Sequence, residues 1–339
     1  MNRSPLLTAA LCLLPALSAA CIHAYAPQPV AVGQTKQTAL LIHQDGVEDL
    51  IINVGYRAEA PVERLAWVLP VPNVPTRYRT ADSALFDELY SWVELQRKPP
   101  LPRGLRTLST SSAQAVGLTV LDSVRTGPYQ IQPLQATGDA GIAALTTWMT
   151  SNGFTPIPRE QLSYYVERRW TFLAVRIDSV SEKLDAEGGL PPLHVRFASE
   201  QAVYPLKLST HMGEFPVRLY LVTKESLAPS DFETARAWGF HVAGARAGNL
   251  ALSPSISTRY RSSDYRVAVS QFQDKDAPAA LQEILKAIDP SSAQTWHLRV
   301  LFAADFRANR ENNNGLPVSS GEDLSVPGVG TGQLLGGVR

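Results

Sequence analysis

The sequence predicts an α+β fold, mainly antiparallel β-sheet with a few amphipathic helices, arranged as two packed β-rich subdomains. Three observations carry this expectation. Short runs with apolar residues at every second position outnumber stripes with helical spacing. An Asp45-Gly46 dipeptide, suited to the φ > 0 positions of a tight hairpin, joins two of these runs. Helical patterns occur singly, without the regular strand–helix alternation that builds a parallel sheet.

Strands are expected at 38–44 and 47–56, on either side of Asp45-Gly46. In the second, Leu50, Ile52, Val54 and Tyr56 share one face and Ile51, Asn53 and Gly55 the other, the alternation of a half-buried strand. Leu65-Ala66-Trp67-Val68-Leu69-Pro70-Val71-Pro72 continues the theme, with Trp67, Leu69 and Val71 on one face. Pro70, Pro72 and Pro75 cannot donate to a ladder, so this segment leaves the sheet or runs along an edge. A helix follows, capped by Asp82 or Ser83, with Leu85, Phe86, Leu89, Trp92 and Val93 as its apolar stripe. Together these elements make an N-terminal β-rich subdomain over 36–97. Pro99-Pro100-Leu101-Pro102 and the Ser/Thr-rich residues after it read as a stiff linker, 98–113.

The C-terminal α+β subdomain spans 114–306. It opens with strands at 115–121 and 129–134, then a helix over 139–152 with Ile142, Leu145, Trp148 and Met149 on one side and Gly153 at its C-cap. A short helix at 159–167 leads into a strand at 170–177, and further strands read at 193–197, 202–208 and 217–223. Ser230 and Glu233 form a capping box for a helix ending at Gly239. A strand at 265–272 precedes a helix with Asp276 at its cap, Pro278 in its first turn, and Leu281, Ile284, Leu285 and Ile288 inside; Pro290 stops it. The last strand is 296–302. After Phe306, Asn312-Asn313-Asn314-Gly315 and Gly-, Ser- and Val-rich sequence read as a flexible tail, 307–339.

The first residues address the chain. Met1-Asn2-Arg3, an apolar run from Leu6 to Leu17 and Ser18-Ala19-Ala20 form a secretory signal peptide over 1–20, cut before Cys21, with a leader at 21–35. The run is too short to span a bilayer, which takes about 20 apolar residues. Leu17-Ser18-Ala19-Ala20-Cys21 also resembles a bacterial lipoprotein signal, with Ser18 standing where a large aliphatic residue is usual. Cys21 is therefore the lipidation candidate, and a bare thiol is the alternative. Loss of Cys12 with the signal leaves Cys21 alone, so no internal disulfide forms. Cys21-Ile22-His23 has the N,S donor types that suit Cu or Ni, but an unstructured leader is the plainer reading. Export to the periplasm or cell envelope follows.

Charge excludes several partners. Lys plus Arg and Asp plus Glu number 31 each, and nowhere do cations cluster as phosphate neutralisation along a nucleic acid requires. No polybasic stretch flanks the leader, so membrane attachment is expected through an N-terminal lipid alone. The six histidines, His23, His43, His194, His211, His241 and His297, form no His-x-x-x-His pair, and Cys-x-x-Cys is absent. Neither Gly-x-Ser-x-Gly nor Ser-x-x-Lys occurs. No catalytic, cofactor-binding or metal residue is assigned, and no cofactor is expected. His43, His194 and His297 fall in strands and read as solvent-facing or locally hydrogen-bonded. Trp67, Trp170 and Tyr204 fit a buried-face pattern better than a stacking platform for sugar or peptide.

The landmarks also form an ordered set. The Asp-Gly hairpin, Leu65 to Pro72, Ala84-Leu85-Phe86, Gly127-Pro128-Tyr129, Trp148 to Phe154, Trp170 to Val175 and Val203-Tyr204-Pro205-Leu206-Lys207-Leu208 occur in that order. In this the chain resembles the exported bacterial family called domain of unknown function 2330, from about Pro29 to Phe306. The resemblance implies extracytoplasmic residence and a β-rich fold, and it carries over no active site. Several members place two cysteines near the mature terminus and end in a hydrophobic anchor. Here Cys21 stands alone in that stretch and no such apolar run is read at 307–339, so neither a disulfide nor a C-terminal membrane span is expected. Two functions are weighed: a non-enzymatic binding or scaffold module acting on an unknown envelope protein or ligand, and an extracytoplasmic hydrolase assembled from distant residues around His194, His211 and nearby carboxylates.

Overall fold

The computed structural model describes residues 23–24, 32–58, 64–93, 95–97, 117–177, 190–211, 215–227, 229–232, 240–243, 265–267, 271–291, 294–306 and 323–326. The signal peptide, Cys21, the Pro/Ser-rich stretch at 98–113 and most of the expected tail lie outside them.

Two sheets face each other. The larger contains β2 (Val32–Gln44), β3 (Val47–Ala58), β5 (Arg77–Thr80), β11 (Leu193–Ala198), β13 (Phe215–Thr223), β14 (His241–Ala243), β16 (Gln271–Gln273) and β17 (Thr295–Phe306). Its order is β14-β17-β13-β2-β3-β11-β5, with β16 also on β17. The smaller contains β1 (His23–Ala24), β4 (Leu65–Val71), β7 (Gly117–Val120), β8 (Val124–Thr126), β9 (Tyr129–Thr137) and β10 (Thr171–Ile177), ordered β1-β4-β10-β9-β7 with β8 on β9. Two short pairs complete the strands: β6 (Leu95–Arg97) with β15 (Tyr265–Val267), and β12 (Ala202–Tyr204) with β18 (Leu324–Val326). Among the described pairings only β13 with β2 is parallel, so the α+β, mainly antiparallel class holds.

Helices close both outer faces. Leu41, Leu50, Ile52, Trp67, Leu69, Leu173 and Val175 meet between the sheets. Leu40, Ile42, Ile51, Tyr220 and Val300, on the opposite face of the larger sheet, pack under α1 (Leu85–Trp92) and α4 (Ala279–Ile288) through Leu85, Leu89, Leu281 and Leu285. Val68, Leu134, Phe172 and Ala174 do the same under α2 (Gly138–Ser151) and α3 (Arg159–Glu167). The architecture is four layers, helix–sheet–sheet–helix. It explains why β3, which alternates like a half-buried strand, is buried on both sides: Ile51, on the face away from the sheet–sheet core, lies under the helical layer. At about 1.5–3 kcal/mol per large apolar side chain, the three clusters supply the main driving force.

Local chemistry sets the element ends. Asp45 (φ 51°) and Gly46 (φ 72°) both take the left-handed conformation that a two-residue type I′ hairpin needs. Asp82 accepts the backbone N–H of Ala84 at 2.8 Å ahead of α1. Gly153 (φ 78°) ends the turn after α2. Elsewhere the structure departs from expectation. The strand foreseen over 202–208 stops at Tyr204, because Pro205 has no N–H for a ladder, and a 3₁₀ turn (Lys207–His211) follows. The segment 265–272 gives two short strands rather than one. Of the helix expected to end at Gly239, residues 229–232 form a 3₁₀ turn and the rest lies outside the described residues. In the leader, His23–Ala24 pairs with β4. In the stretch read as a flexible tail, Leu324 and Val326 are 1% and 0% exposed, on a strand laid against β12. Each large sheet also draws strands from both sides of the Pro/Ser-rich stretch, so the sequence boundary does not separate the two β-rich regions.

Candidate functional site

The titratable residues gather on the larger sheet, and register decides which side each takes. Ile51 pairs with His194, Asp49 with Arg196, His194 with Arg79 and Arg196 with Arg77. Tyr78 and Val195 join the inter-sheet core, so Arg77, Arg79, His194 and Arg196 take the other face, with Asp49 and Ile51. The apolar half of that face lies under α1 and α4; the β11–β5 edge adds nothing to the apolar cluster there and carries charge.

Asp49 is the hub. One carboxylate oxygen accepts from His194 Nε2 at 2.7 Å and the other from Arg196 at 3.0 Å. The His194 and Asp49 side chains are each 2% exposed, whereas Arg196 is 23% exposed. Arg77 is exposed and Arg79 half-buried, and neither side chain makes a hydrogen bond or ion pair among the described residues. The Arg79 guanidinium pKa is lowered, first by burial and then by the charge of Arg77, against the opposing pull of Asp49. Three guanidiniums therefore share one carboxylate.

A second polar row lies on the inner face, where Glu48, His43, Thr223 and His297 are in register across β3, β2, β13 and β17. His43 is fully buried and bonds the Ser199 carbonyl at 2.8 Å. Since a carbonyl only accepts, His43 Nε2 carries the proton and Nδ1 the lone pair. Burial pulls the His43 pKa down and pushes that of Glu48 well up, while the Val203 N–H donates to Glu48 at 2.9 Å. Among the described residues neither His43 Nδ1 nor Glu48 Oε1 has a hydrogen-bond partner.

A cavity between the sheets is lined by Gln34, Gln37, Trp67, Pro70, Tyr204 and Ser209, where the Tyr204 hydroxyl donates to Gln37 at 2.8 Å. Its volume of about 20 Å³ admits a water molecule and no organic ligand. Trp67 and Tyr204 are 5% and 1% exposed, core residues as the alternation implied.

The histidines singled out from sequence divide. His43 and His194 are locally bonded rather than solvent-facing. The hydrolase constellation is not assembled: His194 lies on the outer face of the larger sheet, whereas the turn ending in His211 packs through Leu208 under the helices of the smaller one. An Asp-held histidine suits a general base, but His194 is flanked in its ladder by Ile51 and Arg79, which offer no nucleophile. Among the described residues no three His, Cys, Asp or Glu side chains group to hold a metal. No described helix is long and apolar enough to cross a membrane. The arginines escaped sequence reasoning. Their signal was charge at alternate positions, Arg77-x-Arg79 and His194-x-Arg196, where a covered sheet face would be apolar.

Solved structures give weak likenesses. Baculovirus P35 aligns with a TM-score of 0.39 and 11% identity over 84% of this chain and 96% of that one. The caspase-8/P35 complex aligns at 0.38 and 8%, over 86% and 96%, and a mutated P35 after caspase cleavage at 0.36 and 9%, over 79% and 97%. At these TM-scores the likeness carries no argument. No curated protein sequence matches the chain. Residues 15–247 match the family described as "Uncharacterized protein conserved in bacteria (DUF2330)", and with well over half its length in that match the chain belongs to this bacterial family.

Proposed function

We propose that this family member is exported, held at the cell envelope by lipid on Cys21, and works there as a binding or scaffold module whose contact face is the β11–β5 edge of the larger sheet. The leader, with its basic start, apolar run and Ser18-Ala19-Ala20-Cys21, supports export and anchoring. One observation carries the binding reading. Asp49 is committed to His194 and Arg196, and among the described residues neither the Arg77 nor the Arg79 side chain has a hydrogen-bonded ion-pair partner. Positioned, unneutralised guanidiniums are recognition groups for anions. The hydrolase alternative draws no such support, because His194 is buried and His211 is elsewhere.

Mass spectrometry of the mature N-terminus tests the anchor: an acylated Cys21 supports it, and an unmodified first residue refutes it. For the face, the mature protein is sedimented with envelope membranes stripped of their own copy. Binding that weakens steeply with salt and drops in Arg79→Gln is expected. Retention indifferent to both removes the face from consideration.

A further inference from the structure

We propose that Arg77, Arg79 and Arg196 form a binding site for a phosphate monoester. This deepens the reading of the β11–β5 face as a contact surface by naming the chemistry it recognises. The geometry comes from the ladder. Arg77 and Arg79 are two residues apart on one strand face, about 7 Å between Cα atoms. Arg196 stands directly across from Arg77, with Cα atoms roughly 5 Å apart. Side chains as long as arginine can reach one small anion from those positions. Arg196 uses one nitrogen, Nη1, on Asp49. A guanidinium has five N–H donors, so others remain for a ligand.

Charge selects among anions. Three guanidiniums and the Asp49 carboxylate sum to +2, which a monoester dianion cancels and a single carboxylate does not. Arginine forks also match the paired oxygens of a phosphoryl group. Asp49 holds Arg196 in place before any ligand arrives, so part of the ordering cost is already met by the fold. Repulsion acts in the same direction. Burial lowers the Arg79 pKa most, and the like charges of Arg77 and Arg196 add to it; a dianion between the guanidiniums would offset that repulsion. A nucleic acid is not the partner, since its regular phosphates need an extended basic field and the chain as a whole is neutral. The competing explanation is that charge on an edge strand merely blocks sheet-to-sheet pairing. That role needs charge and no defined ligand.

The two explanations part under titration. Inorganic phosphate, added at low ionic strength to the mature full chain in a calorimeter, is expected to bind saturably at one site, with chloride at equal ionic strength as the control. Arg77→Gln and Arg79→Gln should each weaken binding about tenfold or more. Arg57→Gln, an exposed arginine outside the cluster, should change it less than twofold. Arg79→Lys keeps the charge and loses the fork; retained affinity in Arg79→Lys would refute fork recognition. Thermal unfolding of each variant verifies the fold, and Arg79→Lys stands in for any variant that fails it. A second arm uses phosphatidylcholine vesicles with and without phosphatidic acid. Arginine-dependent binding only to the phosphatidic acid vesicles assigns the phosphate to a lipid headgroup, while binding of free phosphate assigns it to a soluble ligand. Absence of binding in both arms, or binding unchanged in the arginine variants, overturns the site. Salt-sensitive retention on envelope membranes that survives such a result would leave the contact face standing and sink only the phosphate.

Discussion

Asp49 is where sequence, stability and recognition meet in one side chain. It pairs with Arg196 across the ladder and reaches diagonally to His194, so its removal strands a buried imidazole and frees an arginine. Breaking a buried pair by deleting one partner typically costs about 3–5 kcal/mol. Asp49→Ala is therefore expected to lose that much in urea unfolding, with a loss under ~1 kcal/mol showing that the hub is not structural. Glu48, one residue earlier, points to the opposite face and behaves differently. Its carboxyl pKa is held well above the usual range by burial, so the fold favours the protonated acid. A carboxyl with a raised folded pKa contributes most below its unfolded value, and that contribution fades as pH rises through the folded value. Glu48→Gln keeps the protonated shape at every pH. Its stability should improve relative to the wild type as pH rises above 4.5, and parallel curves in denaturant titrations would refute the assignment.

The contact of α2 with β7 shows how tertiary packing places a residue that helix propensity disfavours. Gly141 lies inside α2, where a glycine costs about 1 kcal/mol relative to alanine. The reason for it is tertiary: a Cβ there would come within 2.5 Å of the Gly117 carbonyl oxygen on β7. Gly141→Ala should thus destabilise by roughly 1–3 kcal/mol despite its better helix propensity. A gain in melting temperature would contradict the close approach. The same divide runs through the rest of the fold. The Asp45-Gly46 hairpin, the apolar stripe of α1 and α3 over Arg159–Glu167 were legible because turn chemistry and apolar period are local, although the N-cap of α1 is Ala84 rather than Asp82 or Ser83. The burial of β3 on both faces was not, since its alternation is also that of a strand open to water. The site was legible only at His194. Its partners Asp49, Arg77, Arg79 and Arg196 come from three strands whose pairing register is set by long-range contacts. Sequence can show that charge recurs at every second position of a strand; it cannot show which strand lies beside it.

At the scale of the whole molecule, the C-terminal segment is a staple. Asp323 accepts from the Tyr165 hydroxyl of α3 at 3.0 Å and from the Lys207 N–H of the 3₁₀ turn at 2.8 Å, and its own N–H donates to the Tyr164 hydroxyl at 2.7 Å. Tyr165 in turn accepts from the Leu208 N–H. The strand that follows pairs with β12, so residues from the end of the chain join the outer layer of the smaller sheet to the inter-sheet core. Deleting 307–339 removes those bonds and the buried Leu324 and Val326, each side chain worth about 1.5–3 kcal/mol. The truncated protein should unfold at a clearly lower urea concentration, whereas a solvated tail would leave the midpoint where it was. Acidity gives the independent reading. Burial pushes the Asp323 carboxyl up to about 7 from 3.8. The staple is then strongest below about pH 4 and weakens as pH climbs to 7, by up to ~4 kcal/mol at ~1.4 kcal/mol per unit. Asp323→Asn keeps the strand and cannot ionise, so the wild type should lose stability relative to it across that interval and run parallel above it. If the two proteins keep a constant difference from pH 4 to 7, Asp323 does not titrate inside the fold, and the end of the chain is held by its apolar strand alone.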